Sequence, residues 1–67
     1  MNQLWTVVFA TLRDEIRNHR ARATRARDAY ESPGCRAIME HLAAYHEEAA
    51  DLFEQRLAEA MRLSDKP

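Results

Sequence analysis

The sequence predicts an all-α protein, an antiparallel two-helix hairpin that dimerises into a four-helix bundle. Three observations carry this. Apolar residues recur at alternating steps of three and four, one Ser-Pro-Gly break divides the chain, and a chain of 67 residues buries too little surface to stand without a staple or a partner. Cys35 is the only cysteine, which excludes an internal disulfide, and no Cys/His cluster has zinc-site spacing. Oligomerisation remains. A composition 46% hydrophobic and 31% charged, with a single glycine, suits a folded helical protein rather than a disordered one.

The break is Ser32-Pro33-Gly34. Proline is excluded from a helix interior but suits a first helical position, and serine before it is a good N-cap. The chain reads as one domain, 1–67, with helix 1 over about 3–30, a turn at 31–34 and helix 2 over about 33–63. In helix 1 the seam is Trp5, Phe9, Leu12, Ile16, His19, Ala23, Ala26 and Tyr30, a spacing that only a helix packed on a helix uses and that excludes a strand. In helix 2, Cys35, Met39, Leu42, His46, Ala49 and Phe53 continue the steps, while Ile38, Tyr45, Leu52 and Leu57 widen the apolar face. Folding back at the turn pairs residues whose numbers sum to about sixty-five, with Ala26 opposite Met39, Ala23 opposite Leu42, Ile16 opposite Ala49 and Leu12 opposite Phe53. Small then meets large in successive layers. One hairpin leaves Val8, Leu57 and Met61 on its flanks and Val7 outward, so a second copy is expected to cover part of that surface.

In length, seam and turn position the chain resembles the Rop-like plasmid regulators, chains of this size that dimerise as antiparallel helical hairpins. The resemblance implies a dimer and RNA binding, and it rests on no diagnostic motif.

Chemistry is sparse. His19 and His46 fall in one layer, where a dimer would gather up to four imidazoles; they read as a metal site or as a hydrogen-bonded layer that fixes register, and the second reading is preferred. Ile16, Ile38 and Ala43 stand where a di-iron Glu-x-x-His pattern needs glutamates. Cys35 follows the proposed cap, where the helix dipole favours thiolate, yet no base is placed to make a catalytic pair. Phosphate loops, nucleophile elbows and zincin motifs are missing. The expectation is a non-enzyme with no cofactor and no metal.

Charge is the conspicuous feature. Through Ser32 the chain carries six arginines against four acids, and beyond it four bases against seven acids, for a net charge of -1. Five arginines fall between Arg17 and Arg27 with no acid among them. Arg13, Arg20 and Arg27 repeat every seven residues beside the seam, Arg17 lies on the same side, and Arg22 and Arg25 lie on the other. Helix 2 answers with Glu40, Glu47 and Glu54, joined by Asp51. The two ladders invite cross-hairpin ion pairs, but at about 100° per residue the glutamates lie roughly 140° from the centre of the apolar face, pointing away from helix 1. They are therefore read as a solvated face or as an acidic stripe for a partner.

At the open end, Trp5, Val8, Phe9 and Leu12 meet Phe53, Leu57 and Met61, an apolar interface that serves equally as core and as recognition surface. The run from Leu4 to Ala10 has no positive segment before it and is much shorter than a bilayer span. No membrane partner is expected, and the protein is placed in the cytoplasm. Nine arginines against one lysine, with twelve alanines, fit a GC-rich bacterium or its phage. The expectation is a small homodimer that docks on a larger bacterial protein and inhibits or modulates it. Its partner-binding residues would be Arg13, Arg17, Arg20, Arg27, Glu40, Glu47, Asp51 and Glu54; the runner-up is a Rop-like dimer that meets RNA or DNA through the arginine belt.

Overall fold

The computed structural model describes residues 3–29 and 32–65. Two helices, α1 (Gln3–Asp28) and α2 (Pro33–Ser64), pack antiparallel. Tyr30, the expected last seam residue of the first helix, and residue 31 of the expected turn lie outside the described residues. Ser32 is extended at φ -147° and ψ 161°, and its Oγ accepts the Cys35 N–H at 3.2 Å while Pro33 opens the helix. Pro33 has no N–H to satisfy, and the serine takes up one of the amides that remain free in the first turn. Arg25 and Arg27 occupy the last turn of α1, where cations complement the helix dipole. The α2 C-terminus is closed by Asp65, whose N–H donates to the Leu63 carbonyl, and by the Ser64 hydroxyl, which donates to the Met61 carbonyl at 2.9 Å.

The interior contains few large side chains. From α1 come Phe9, Ile16, His19, Ala23 and Ala26, and from α2 only Ala43, Ala50 and Ala60. Half-buried Met39, His46, Phe53 and Leu57 alternate with those alanines. The seam of α2 therefore runs Met39, Ala43, His46, Ala50, Phe53, Leu57, Ala60.

This corrects the expected inner face of α2, which placed Leu42 and Ala49 in the seam. The helix is turned so that Ala43 and Ala50 face α1, and Leu42 is left 42% exposed. The reason is packing at the turn end, where Ala23, Ala26 and Ala43 form one cluster flanked by Met39. Three methyl side chains in contact need closely approaching backbones, and a leucine at the centre of that layer would hold them apart. The expected layers change with it. Ile16 lines a cleft with Leu57 rather than facing Ala49, and Phe53 stacks on His19, at a centroid distance of 5.7 Å and 19° between planes.

The product is a rod whose Cα atoms span 54 × 15 × 10 Å, with a radius of gyration of 15.6 Å. A compact chain of this length would have a radius of about 11 Å. Burying Phe9 and Ile16 contributes about 1.5–3 kcal/mol each and the alanines much less, so the hairpin's own core is thin.

Candidate functional site

Turning α2 by one seam position changes the role of its glutamates. From the centre of the face that is actually buried they lie roughly 80° away, at about 100° per residue, which is the rim of the helix pair rather than its back. There they meet the arginine ladder. Arg20 pairs with Glu54, and Arg27 pairs with Glu47 and, at 3.6 Å, with Glu40. The expectation that the glutamates point away from α1 is therefore wrong, and the cause is the same seam misassignment. These side chains are 43–56% exposed, so each pair is worth at most about 1 kcal/mol. Their larger effect is electrostatic, since the carboxylates of α2 offset part of the belt's positive field.

Arg13 lies over the Phe9 ring at 6.0 Å, within cation–π reach, and Arg17 sits 3.7 Å from Asp14 on its own helix. Between the helices on this side opens a cleft of about 680 Å³ floored by Ile16, Leu57, Ala58 and Met61 and bordered by Arg13, Arg17, Arg20 and Glu54. Asp51 lies further toward the turn, in a smaller recess with Arg20, Arg27 and Glu47. All eight charged residues singled out in the sequence thus belong to one side of the hairpin.

The apolar open end is divided. Phe9 is buried, Trp5 stacks on it at 6.0 Å, and Trp5, Val8, Leu12, Phe53 and Leu57 are half-buried in the hairpin itself. Met61 is 39% exposed at the cleft, and Val7 faces outward at 61%.

His19 and His46 do share a layer. Their Nδ1 atoms are 2.8 Å apart in a hydrogen bond, so one nitrogen donates and the other accepts. On its far side His19 Nε2 approaches Glu15 Oε2 at 3.5 Å. His46 also meets the Tyr45 ring edge-on. Desolvation, then the neighbouring His19, then Arg22, hold the His46 imidazole below its ordinary value of 6.5. Among the described residues no group of three or more His, Cys, Asp or Glu side chains is arranged to hold a metal. Cys35 is a free, half-buried thiol. No helix is long and apolar enough to cross a membrane among those residues.

No known protein family, curated protein or solved structure matches this chain.

Sequence reasoning rejected the cross-hairpin ion pairs, and it merged the outer face of α2 with the seam. That face carries Ile38, Leu42, Tyr45 and Leu52 at 67, 42, 61 and 47% exposure. The signal was present, because α2 contains two interleaved ladders, Met39-Ala43-His46-Ala50-Phe53 and Ile38-Leu42-Tyr45-Ala49-Leu52. Merging them into one broad face hid the choice between them.

Proposed function

We propose that the protein is a small homodimeric regulator that docks on a larger bacterial protein and inhibits or modulates it. The observation that carries this reading is the cleft with an apolar floor of Ile16, Leu57 and Met61 and a rim of both charge signs. A phosphate backbone offers uniform negative charge and calls for unpaired cations. A protein segment offers an apolar side chain flanked by charges, which an apolar floor and a mixed rim can both use. Engagement of Arg20 and Arg27 by Glu54, Glu47 and Glu40 further favours protein over nucleic acid. The two-helix hairpin is compatible with Rop-like architecture, which adds support for the dimer.

Affinity capture from a nuclease-treated bacterial lysate tests the reading, with Met61→Glu and Arg17→Glu as paired controls. The expected result is a defined protein retained by the native chain and lost with either variant while helicity stays intact. Binding of purified protein to RNA or duplex DNA with sub-micromolar affinity, steeply salt-dependent and abolished by changing Arg17, Arg20 and Arg25 to Gln, would overturn it in favour of nucleic-acid recognition.

A further inference from the structure

The outer face of α2 is mostly uncovered within the hairpin: Ile38, Leu42, Tyr45 and Leu52 are exposed, and Ala49 is half-buried. Ile38, Leu42, Tyr45, Ala49 and Leu52 follow one another at steps of four, three, four and three, the repeat of a helix that packs against another helix. At about 100° per residue the centre of this stripe lies roughly 100° from the buried seam and on the opposite side from the glutamate ladder. The hairpin therefore has one polar flank and one apolar flank.

The total surface is large enough for association to reduce it. The chain exposes 5233 Å², whereas a folded monomer of 7.8 kDa exposes about 4,400 Å². The excess, spread over the whole elongated chain, is about 800 Å², similar to the area that each partner contributes to a standard stable interface.

The stripe is also complementary to itself. Run antiparallel against a copy, it can be placed so that Tyr45 meets the partner's Ala49 and Leu42 meets the partner's Leu52. Tyrosine then lies over alanine and leucine over leucine, while Ile38 falls at the edge of the stripe, opposite the aliphatic stem of the arginine that closes it. Run parallel, Tyr45 would meet its twin and Ala49 would meet its twin, giving one overfilled and one empty layer. Arg56 and Glu59, which continue the same steps and pair with each other at 3.4 Å, close the apolar run.

We infer that the second copy of this chain packs antiparallel on the outer face of α2, along Ile38, Leu42, Tyr45, Ala49 and Leu52, leaving the Arg/Glu rim and its cleft exposed on both subunits. This rests on the dimer contained in the proposed function and assigns it a face. The interface is distinct from the open-end cluster of Trp5, Val8, Phe9 and Leu12, most of which the hairpin consumes internally.

Sedimentation equilibrium on the native chain, Tyr45→Glu, Leu42→Glu and Val7→Glu tests it. The native chain and Val7→Glu should be dimers, and the two stripe variants should dissociate at least roughly a hundredfold more readily, because each would desolvate a carboxylate opposite an apolar side chain. A monomeric native chain with intact helicity would overturn the dimer reading altogether. A dimer that survives the stripe variants and is lost with Val7→Glu would overturn the face assignment alone. Where a glutamate variant fails to fold, cross-linking decides. In a Cys35→Ser background, a mixture of Tyr45→Cys and Ala49→Cys chains treated with a short bis-maleimide should give more covalent dimer than either chain alone. More cross-linking in the separate chains than in the mixture would rule out the antiparallel pairing.

Discussion

His46 illustrates how burial and its neighbours together set the behaviour of a side chain. Its ring shares a hydrogen bond with His19, which in turn faces Glu15 and the Phe53 ring, while Arg22 and Tyr45 complete the surroundings. A doubly protonated pair would set two N–H donors against each other, so the layer holds as long as one ring nitrogen remains an acceptor. With the folded value of His46 lowered from 6.5, the unfolded chain binds a proton that the folded chain does not in the window between the two values. Stability therefore rises with pH across that window and falls as pH drops through about 6.5. Urea unfolding at pH 7.5 and 5.5 should show a lower midpoint at the acid pH, and His46→Asn should shrink the difference; equal midpoints in the native protein would contradict the account. The layer itself was legible in the sequence, since two histidines 27 positions apart were placed together by spacing alone. The ion pairs of Arg20 and Arg27 were not, because they depend on helix rotation, to which the step pattern is nearly blind.

At the level of the helix, α1 was readable because from Phe9 onward its apolar residues form one ladder with mostly polar residues on either side. Phe9, Ile16, His19, Ala23 and Ala26, all members of that ladder, are the buried residues of α1. In α2 two ladders compete, and hydrophobicity favours the wrong one, since Ile38, Leu42, Tyr45 and Leu52 are larger than Ala43 and Ala50. Burial followed fit instead. Alanine contributes little transfer energy per residue, yet it lets the backbones approach so that Met39, Phe53 and Ile16 can fill the flanks. A clear contrast follows between two aliphatic truncations. Ile16→Ala should cost about 2–5 kcal/mol in chemical unfolding of the protein. Leu42→Ala, at 42% exposure in the hairpin, should cost distinctly less when measured far below the dimer dissociation constant, where only the hairpin contributes. Equal losses under those dilute conditions would restore Leu42 to the seam.

For the molecule as a whole, the two flanks divide the work. The polar flank presents a cleft and a mixed-charge rim, and the apolar flank carries the surface that the thin core leaves uncovered. Coupling of folding to the proposed association has a thermodynamic signature, because a dimer that dissociates on unfolding gains stability with concentration. Taking about 0.7 kcal/mol of unfolding enthalpy per residue, Tm should rise by about 5 °C for each tenfold increase in protein. A Tm independent of concentration from low micromolar to millimolar protein would mean that each hairpin melts alone. The step pattern and the break at Ser32 were enough to give this architecture its helices and its turn, while the allocation of flanks required the rotation of α2 to be known.

The elongation of the rod has a hydrodynamic consequence. A radius of gyration of 15.6 Å is what a compact globule of about 170 residues would show, more than twice the length of this chain. A single hairpin would therefore leave a gel-filtration column where a globular dimer is expected, and elution volume would report association that had not occurred. Frictional drag and mass separate for a particle of this shape, and only a measurement that weighs the particle distinguishes one hairpin from two.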